Sequence, residues 1–299
     1  MRRPAAILEA GFFAALINER PSVNVTVTPG SLLAWVDGRV ASAVQQEPAV
    51  AYVALPEFAM LPEEWTEACT IPQNASTSSW CASYPDMVVL PTCSGSLSFD
   101  AALSCTAREH GVILSVNLCE RASEGAFNTQ VIYDADGWRR AKYRKAHPWE
   151  RRCFARPART DAVVFNSTAL AGVTLGIFTC LDIAFKEPAA TLLEQGVRLF
   201  AYSASYVPGS AKRAWSALHG STLLSSDRHD AGVYQHGSLL ADRSHNPGMV
   251  ISFVPAPNRE HHEKASTTST QELEALLLNA RIYDEQRWSP DGLTLLSPP

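Results

Sequence analysis

The sequence predicts an α/β layered fold in which helices cover a β-sheet. Two observations carry this. Apolar, β-branched runs alternate with amphipathic stretches in the order β-α-β-hairpin-β-α-β-α-β. The 299 residues, 46% of them hydrophobic, are enough to bury a substantial core in one large domain.

The elements follow in order. MRRPAAILEAGFFAALINERP opens with two arginines and an apolar stretch, as a signal peptide does. Glu9 interrupts that stretch and no small-residue cleavage site follows, so a first buried strand is the better reading. Residues 33–46 read as an amphipathic helix, and AVAYVALPEFAM as a buried strand over 49–55 that ends at Pro56-Glu57. Residues 61–98, rich in Pro, Ser, Thr and Cys, read as a long surface excursion. Helix 99–110 is stopped by Gly111, and strand 112–120 follows. NTQVIYDADGWRRAKYRK is a hairpin turning at Asp134-Ala135-Asp136-Gly137. VTLGIFT is a strand, EPAATLLEQG a helix closed by Gly196, VRLFAYSAS a strand, AKRAWSALHG a helix and STLLSSD a strand. Residues 257–272 are a polar loop, followed by a short helix over 271–281. No internal repeat or linker divides the chain, so residues 1–299 read as a single domain.

Net charge is −5. That argues against nucleic acid as a partner, which would need clustered Lys and Arg. No apolar run approaches the roughly 20 residues of a membrane-spanning helix. Seven cysteines occur, at 69, 81, 93, 105, 119, 153 and 180. No CxxC pair is among them, which disfavours a thiolate zinc site. Setting Cys180 aside leaves an even six, with pairings that sequence does not choose among. Three sequons, at Asn24, Asn74 and Asn166, are candidate glycosylation sites and point mildly to secretion.

Three strand ends carry reactive side chains: Glu57, Lys145 and Cys180. In layered α/β proteins, ligands collect at strand ends. These three groups suffice for acyl transfer. A carboxylate takes the thiol proton, the thiolate attacks a carbonyl, and an ammonium stabilises the oxyanion. Plainer readings stand beside this one. Cys180 fits a buried apolar thiol or half of a disulfide, and Glu57 an exposed loop carboxylate. Lys145 fits a solvated basic patch with Arg139, Arg140, Lys142 and Arg144.

The segment FTCLDIAFKEPAATLLEQGV, its upstream VVFNSTALAGVTLGIFTC, KYRKAHPWE, ALPEF and AWSALHGSTLLSSDRH together resemble the vanin and biotinidase branch of the nitrilase (carbon–nitrogen hydrolase) superfamily, over roughly residues 5–250. The resemblance implies a nitrilase-like α-β-β-α sandwich. It implies Glu57 as general base, Lys145 as oxyanion-stabilising cation and Cys180 as nucleophile, with no metal or organic cofactor. It also implies a secreted or membrane-anchored glycoprotein, hence an extracellular or secretory-pathway setting, with any membrane anchor outside this chain and room for self-association. The partner is a small linear amide. A pantetheinase releases pantothenate and cysteamine from pantetheine; a biotinidase releases biotin from biocytin.

Further residues are weighed on the same pattern. Glu150, five residues past Lys145, is either the second glutamate many nitrilases carry or a surface carboxylate paired with Arg151 or Arg152; its spacing is about one residue short for this branch. Asp182 reads as the cap of the helix that follows Cys180, rather than as a catalytic acid. The Leu181 N–H is a candidate oxyanion donor. His147 reads as a loop histidine with a structural hydrogen bond, or as a residue lining the site. His261-His262-Glu263 reads as a solvated loop, not a metal site.

Two features depart from the family. The segment SASYVPGSAKRAW is shortened where relatives carry a Trp near Ser205, and Tyr206 is a candidate replacement wall. The family's additional C-terminal domain is absent, which fits a compact relative or a truncated chain. The leading expectation is a cysteine amidohydrolase acting on a pantetheine-like amide. The alternatives are a biotinidase-like hydrolase and a catalytically silent, ligand-binding relative.

Overall fold

The computed structural model describes residues 10–19, 28–61, 81–84, 90–94, 97–149, 153–242 and 248–256. Within them, β1 (Gly11–Ile17) leads to α1 (Pro29–Gln46) and β2 (Val50–Ala54). Then come β3 (Cys81–Ala82), α2 (Phe99–His110), β4 (Ile113–Ala122), β5 (Gly125–Tyr133) and β6 (Arg139–Arg144). The second half has β7 (Val164–Asn166), β8 (Thr174–Thr179), α3 (Ala189–Glu194), β9 (Leu199–Ala204) and α4 (Gly209–Leu218). It closes with β10 (Thr222–Asp227), β11 (Gly232–Gln235), β12 (Ser238–Asp242) and β13 (Met249–Pro255).

The strands form two sheets rather than one. The first runs β13-β1-β2-β4-β5-β6, with β3 also on β4; the second runs β12-β11-β10-β9-β8-β7. Parallel triplets, β1-β2-β4 and β8-β9-β10, lie at their centres. Strand alternation builds the layers. In β1, Ala14 and Leu16 join the core that reaches the second sheet, while Ala15 and Ile17 pack with Leu32, Val36 and Val40 of α1 and with Leu103 and Ala107 of α2. In β2, Tyr52 and Ala54 face one way and Val53 the other. On the far side, Ala211, Ala214 and Trp215 of α4 and Leu192 of α3 join the core of the second sheet. The result is helix, sheet, sheet, helix: the α-β-β-α sandwich expected.

Several boundaries differ from expectation for identifiable reasons. The helix predicted over 33–46 starts at Pro29, because Thr28 caps it: the Ser31 N–H bonds Thr28 Oγ1 at 3.1 Å, the Thr28 N–H bonds Ser31 Oγ at 2.8 Å, and Pro29 enters at the first position. Helix 99–110 has its predicted limits, and Gly111 at φ 65° supplies the left-handed stop. The Asp134–Gly137 turn forms as expected, with Asp134 Oδ1 accepting the N–H groups of Asp136 (3.0 Å) and Trp138 (2.8 Å). A second hairpin precedes it. β4 pairs antiparallel with β5 through Ala122↔Gly125, so three strands form a meander. RASEGAF hides this, since its residues do not alternate.

The 61–98 segment is not wholly a surface excursion. Cys81 and Tyr84 are buried, β3 pairs with β4, and a disulfide joins Cys81 to Cys119. A second disulfide joins Cys93 to Cys105, and Cys153 is bonded as well. β7 and β11–β13 are absent from the sequence reading; β13 pairs with β1 at the opposite end of the described chain, a partner no local pattern reveals. The predicted 257–272 loop, the 271–281 helix, His261-His262-Glu263, Glu150, Asn24 and Asn74 lie outside the described residues. Among the described residues, no helix is long and apolar enough to cross a membrane, and no His/Cys/Asp/Glu group could hold a metal ion.

Trp215 anchors α4 to the second sheet, with its ring centroid 5.1 Å from that of Phe178 and 5.2 Å from that of Phe200. Gly176 stands beneath Phe200 on the same face, where a Cβ would meet the ring at 2.9 Å. Trp215→Ala is expected to cost about 3–5 kcal/mol, seen as a lower urea midpoint with an unchanged slope. A loss below about 1 kcal/mol would mean the aromatic cluster is not the anchor.

Candidate active site

The parallel strands of both sheets end on the same side of the molecule, and the reactive groups gather there. Glu57 follows β2, Lys145 follows β6, and Cys180 follows β8. Backbone and hydroxyl bonds lock these ends across the sandwich. Glu57 N–H donates to Ala204 O at 3.3 Å, and Ser203 Oγ to Leu55 O at 3.0 Å. Ser226 Oγ donates to Ala54 O at 3.1 Å.

Glu57 and Lys145 are 1% and 2% exposed, and Lys145 Nζ lies 2.6 Å from Glu57 Oε1. This excludes both plainer readings. Glu57 is not an exposed carboxylate, and Lys145 is not part of a solvated basic patch: it is buried on Glu57, while Lys142 and Arg144 pair with buried Glu120, Arg139 with Asp100, and the half-exposed Arg140 with Asp134. A chain of amides orients Glu57. Asn128 Nδ2 donates to Glu57 Oε1 at 2.8 Å, Asn117 Nδ2 donates to Asn128 Oδ1 at 2.7 Å, and Asn117 Oδ1 accepts the Phe58 N–H at 2.8 Å. That last bond holds Phe58 at φ 61°, a left-handed conformation uncommon for a bulky residue. Asn128 O also accepts the Lys145 N–H at 2.8 Å, so one asparagine places both charged residues.

Cys180 is the free cysteine among the described residues. It opens a single-turn 3₁₀ segment, Cys180–Ala184, and sits at φ 49°. A non-glycine residue held left-handed where a strand breaks into a turn is a strained corner that sets its side chain off the sheet. Tyr202 Oη donates to Cys180 O at 2.7 Å and fixes the corner. The thiol faces Glu57, Lys145 and the backbone of Ser205. Burial, then the Glu57 charge, pushes its pKa well up, while Lys145 and the Ser205 backbone bond pull it down. The resting thiol therefore keeps its proton.

Asp182 caps the 3₁₀ turn that opens at Cys180, as the third residue of a capping box with Thr179, and not α3, which has no side-chain cap. Fully buried, its carboxylate accepts Thr179 N–H at 3.1 Å, Tyr143 Oη at 2.7 Å, and both the N–H (2.9 Å) and Nδ1 (2.9 Å) of His147. It thereby joins the lysine segment to the cysteine turn. His147 takes the structural role weighed for it: its ring is buried, bonded to Asp182 and stacked on Phe185 at 3.8 Å. Leu181, partly buried, directly follows the thiol. Tyr206 is 65% exposed beside Ser205, with its ring 4.7 Å from that of His229. Asn166 is exposed at the end of β7 and accepts Thr174 Oγ1 at 2.6 Å.

A carbon–nitrogen hydrolase profile matches residues 13–224. The chain belongs to the carbon–nitrogen hydrolase family. Its curated relatives place it in the vanin and biotinidase branch. It is 32% identical to a biotinidase from Takifugu rubripes over 46% of this chain and 31% of that one. It is 28% identical to vanin-like protein 1 from Drosophila melanogaster over 59% of this chain and 38% of that one, and 31% identical to a pantetheine hydrolase from Homo sapiens over 33% and 21%. The matched stretches thus span well under half the length of these relatives. Among solved structures, an amidase from Nesterenkonia sp. superposes with a TM-score of 0.62 at 19% identity, covering 85% of this chain and 94% of that one. Nit3 from Saccharomyces cerevisiae gives a TM-score of 0.66 at 15% identity over 95% and 99%, which shows the fold.

The sequence does not single out three supports of this carbon–nitrogen hydrolase site, Asn117, Asn128 and Tyr143. Only the asparagines left a signal, as polar residues inside otherwise apolar strands, which must find buried partners. The position of Glu57 against the sulfur gives a test. Glu57→Gln removes the charge and hydrogen bond that raise the Cys180 pKa and leaves Lys145, which lowers it. The pH midpoint for iodoacetamide alkylation of Cys180 is expected to fall, and alkylation at neutral pH to quicken. An unchanged or higher midpoint would show that the carboxylate does not act on the thiol.

Proposed function

We propose that this carbon–nitrogen hydrolase cleaves a small linear amide through a thioester on Cys180, with a pantetheine-like amide as its substrate. One observation carries the reading: a buried carboxylate–ammonium pair at 2.6 Å faces a free thiol held at a strained strand end. Glu57 takes the thiol proton as the sulfur attacks the substrate carbonyl. The developing oxyanion is met by the Lys145 ammonium and the Leu181 N–H. The tetrahedral adduct collapses, the C–N bond breaks, and Glu57 returns its proton to the departing amine. Glu57 then activates a water that hydrolyses the thioester and restores the thiol. No step needs a cofactor.

The matched pantetheine hydrolase supports pantetheine, and the matched biotinidase makes biocytin the competing substrate. The disulfides Cys81–Cys119 and Cys93–Cys105 support an oxidising compartment outside the cytosol, and exposed Asn166 is a fit acceptor for a glycan there. Residues 1–299 act as one domain in this reading, and Tyr206 borders the substrate.

The test is intact-mass spectrometry with pantetheine and with biocytin, alongside assay of the released amine. An acyl adduct on the Cys180 peptide with amine release from pantetheine is expected. Cys180→Ala should abolish release with folding nearly intact, and Lys145→Ala should lower turnover by about 10²–10³. Release by Cys180→Ala, or no adduct with Cys180 unreactive towards iodoacetamide, would overturn the thioester mechanism. Turnover of biocytin alone would change the substrate.

A further inference from the structure

A second buried ion pair lies behind the site and takes no part in the chemistry above. Lys212 of α4 and Asp227, the last residue of β10, are both 0% exposed, with Lys212 Nζ 2.8 Å from Asp227 Oδ2. Beside Lys212 on α4, Ala211, Ala214 and Trp215 lie in the apolar core, and Ser216 is buried as well. A buried ion pair in such a setting gives little stability over well-packed apolar residues, so its presence asks for another reason.

Its hydrogen bonds give one. Asp227 Oδ1 accepts the N–H groups of His229 (2.8 Å) and Asp230 (3.3 Å), and Oδ2 accepts the Val207 N–H (3.3 Å). Lys212 Nζ also donates to Asp230 O at 2.9 Å, and the Gly209 N–H to Asp230 Oδ2 at 3.0 Å. The pair therefore fastens the β9–α4 loop to the β10–β11 loop. The first loop carries Ser205, whose backbone pulls the Cys180 pKa down and whose hydroxyl lies 3.4 Å from Glu57 O, and then Tyr206. The second carries Arg228 and His229, which bond and stack on Tyr206.

We propose that Lys212 and Asp227 are positioning residues that fix the Ser205–Tyr206 wall beside Cys180 and so set substrate affinity. The inference rests on Cys180 being the nucleophile. Both residues act through the loop and touch no reacting atom.

The variant that tests this while keeping the fold is Lys212→Met/Asp227→Asn. Removing both charges together avoids a lone buried ion. The Asn oxygen can still accept from His229 and Asp230, but its NH₂ cannot accept from Val207. Loss of that one buried acceptor should raise KM about tenfold for whichever of pantetheine or biocytin the unaltered protein hydrolyses, with kcat changed far less. The alkylation midpoint of Cys180 should rise, because a displaced Ser205 backbone no longer lowers the thiol pKa; this readout needs no substrate. Tyr206→Ala should raise KM too, and the combined variant should add less than the two effects taken separately. A folded pair variant with an altered melting temperature but unchanged KM and alkylation profile overturns the proposal, as does full additivity with Tyr206→Ala. Turnover that survives Cys180→Ala would instead overturn the nucleophile assignment beneath it.

Discussion

The contact between Glu57 and Lys145 is the constraint around which the rest is arranged. Two opposite charges taken out of water lose several kcal/mol of hydration each. Their attraction offsets that loss only if the geometry is close and the remaining lone pairs and protons are satisfied. The fold supplies close geometry and a further donor. The 2.6 Å separation is short, and Asn128 adds a second donor to the same carboxylate oxygen. Asn128 is in turn held by Asn117, and Asn117 by the turn at Phe58. A polar line thus runs between two apolar layers. Thr179 to Gln130 (3.0 Å) and Gln130 to Ser115 (2.9 Å) form a second line parallel to it. Such networks tolerate few half-satisfied members, because an unpaired buried polar group costs about 1–3 kcal/mol.

Local strain falls where that framework can hold it. Phe58 and Cys180 both sit at positive φ, one beside the carboxylate and one at the thiol. Each is pinned by a side chain from a neighbouring strand, Asn117 of β4 in the first case and Tyr202 of β9 in the second. Asp182 adds a third tie, spanning the two segments that carry Lys145 and Cys180. Strain of this kind persists only where surrounding contacts over-determine the backbone. The three reactive groups are thus placed by bonds from different strands, not by the loops that carry them.

How much of this was legible in the sequence depends on where the partners lie. Helix 99–110 was legible because its cap, its period and Gly111 are all local. The Asp134–Gly137 turn was legible for the same reason. Glu57 and Cys180 were legible because each directly follows an apolar strand and sits in a specific motif, whereas Lys145 follows the basic arm RRAKYR and stood out by its motif alone. Lys212 was not, since AKRAW next to an arginine reads as a solvated helix face; only the position of Asp227, fifteen residues on, makes it a core residue. Asp182 was legible as a cap because that signal is local, but the element it caps is a short 3₁₀ turn before α3, and its bonds to Tyr143 and His147 reach partners that no local pattern shows. β13 was invisible because its partner β1 lies across the whole described chain. Local signals set the elements; long-range pairing set the second sheet and the supports of the site.

The balance of charge at Cys180 suits acyl transfer better than a standing thiolate would. In the resting site, burial and the Glu57 charge keep the thiol neutral beside the carboxylate–ammonium pair. A permanent thiolate there would place two negative charges against one ammonium in a buried setting, and a thiolate is the more readily oxidised form. A neutral thiol avoids both. In the proposed reaction, when a carbonyl carbon reaches the sulfur, the proton passes to Glu57 and the negative charge passes on to the carbonyl oxygen. Glu57 is then neutral, and the Lys145 ammonium loses its partner at the moment an oxyanion forms near it. The ammonium's strongest attraction shifts from the carboxylate to the oxyanion, so the pair that orders the resting site becomes stabilisation available in the transition state.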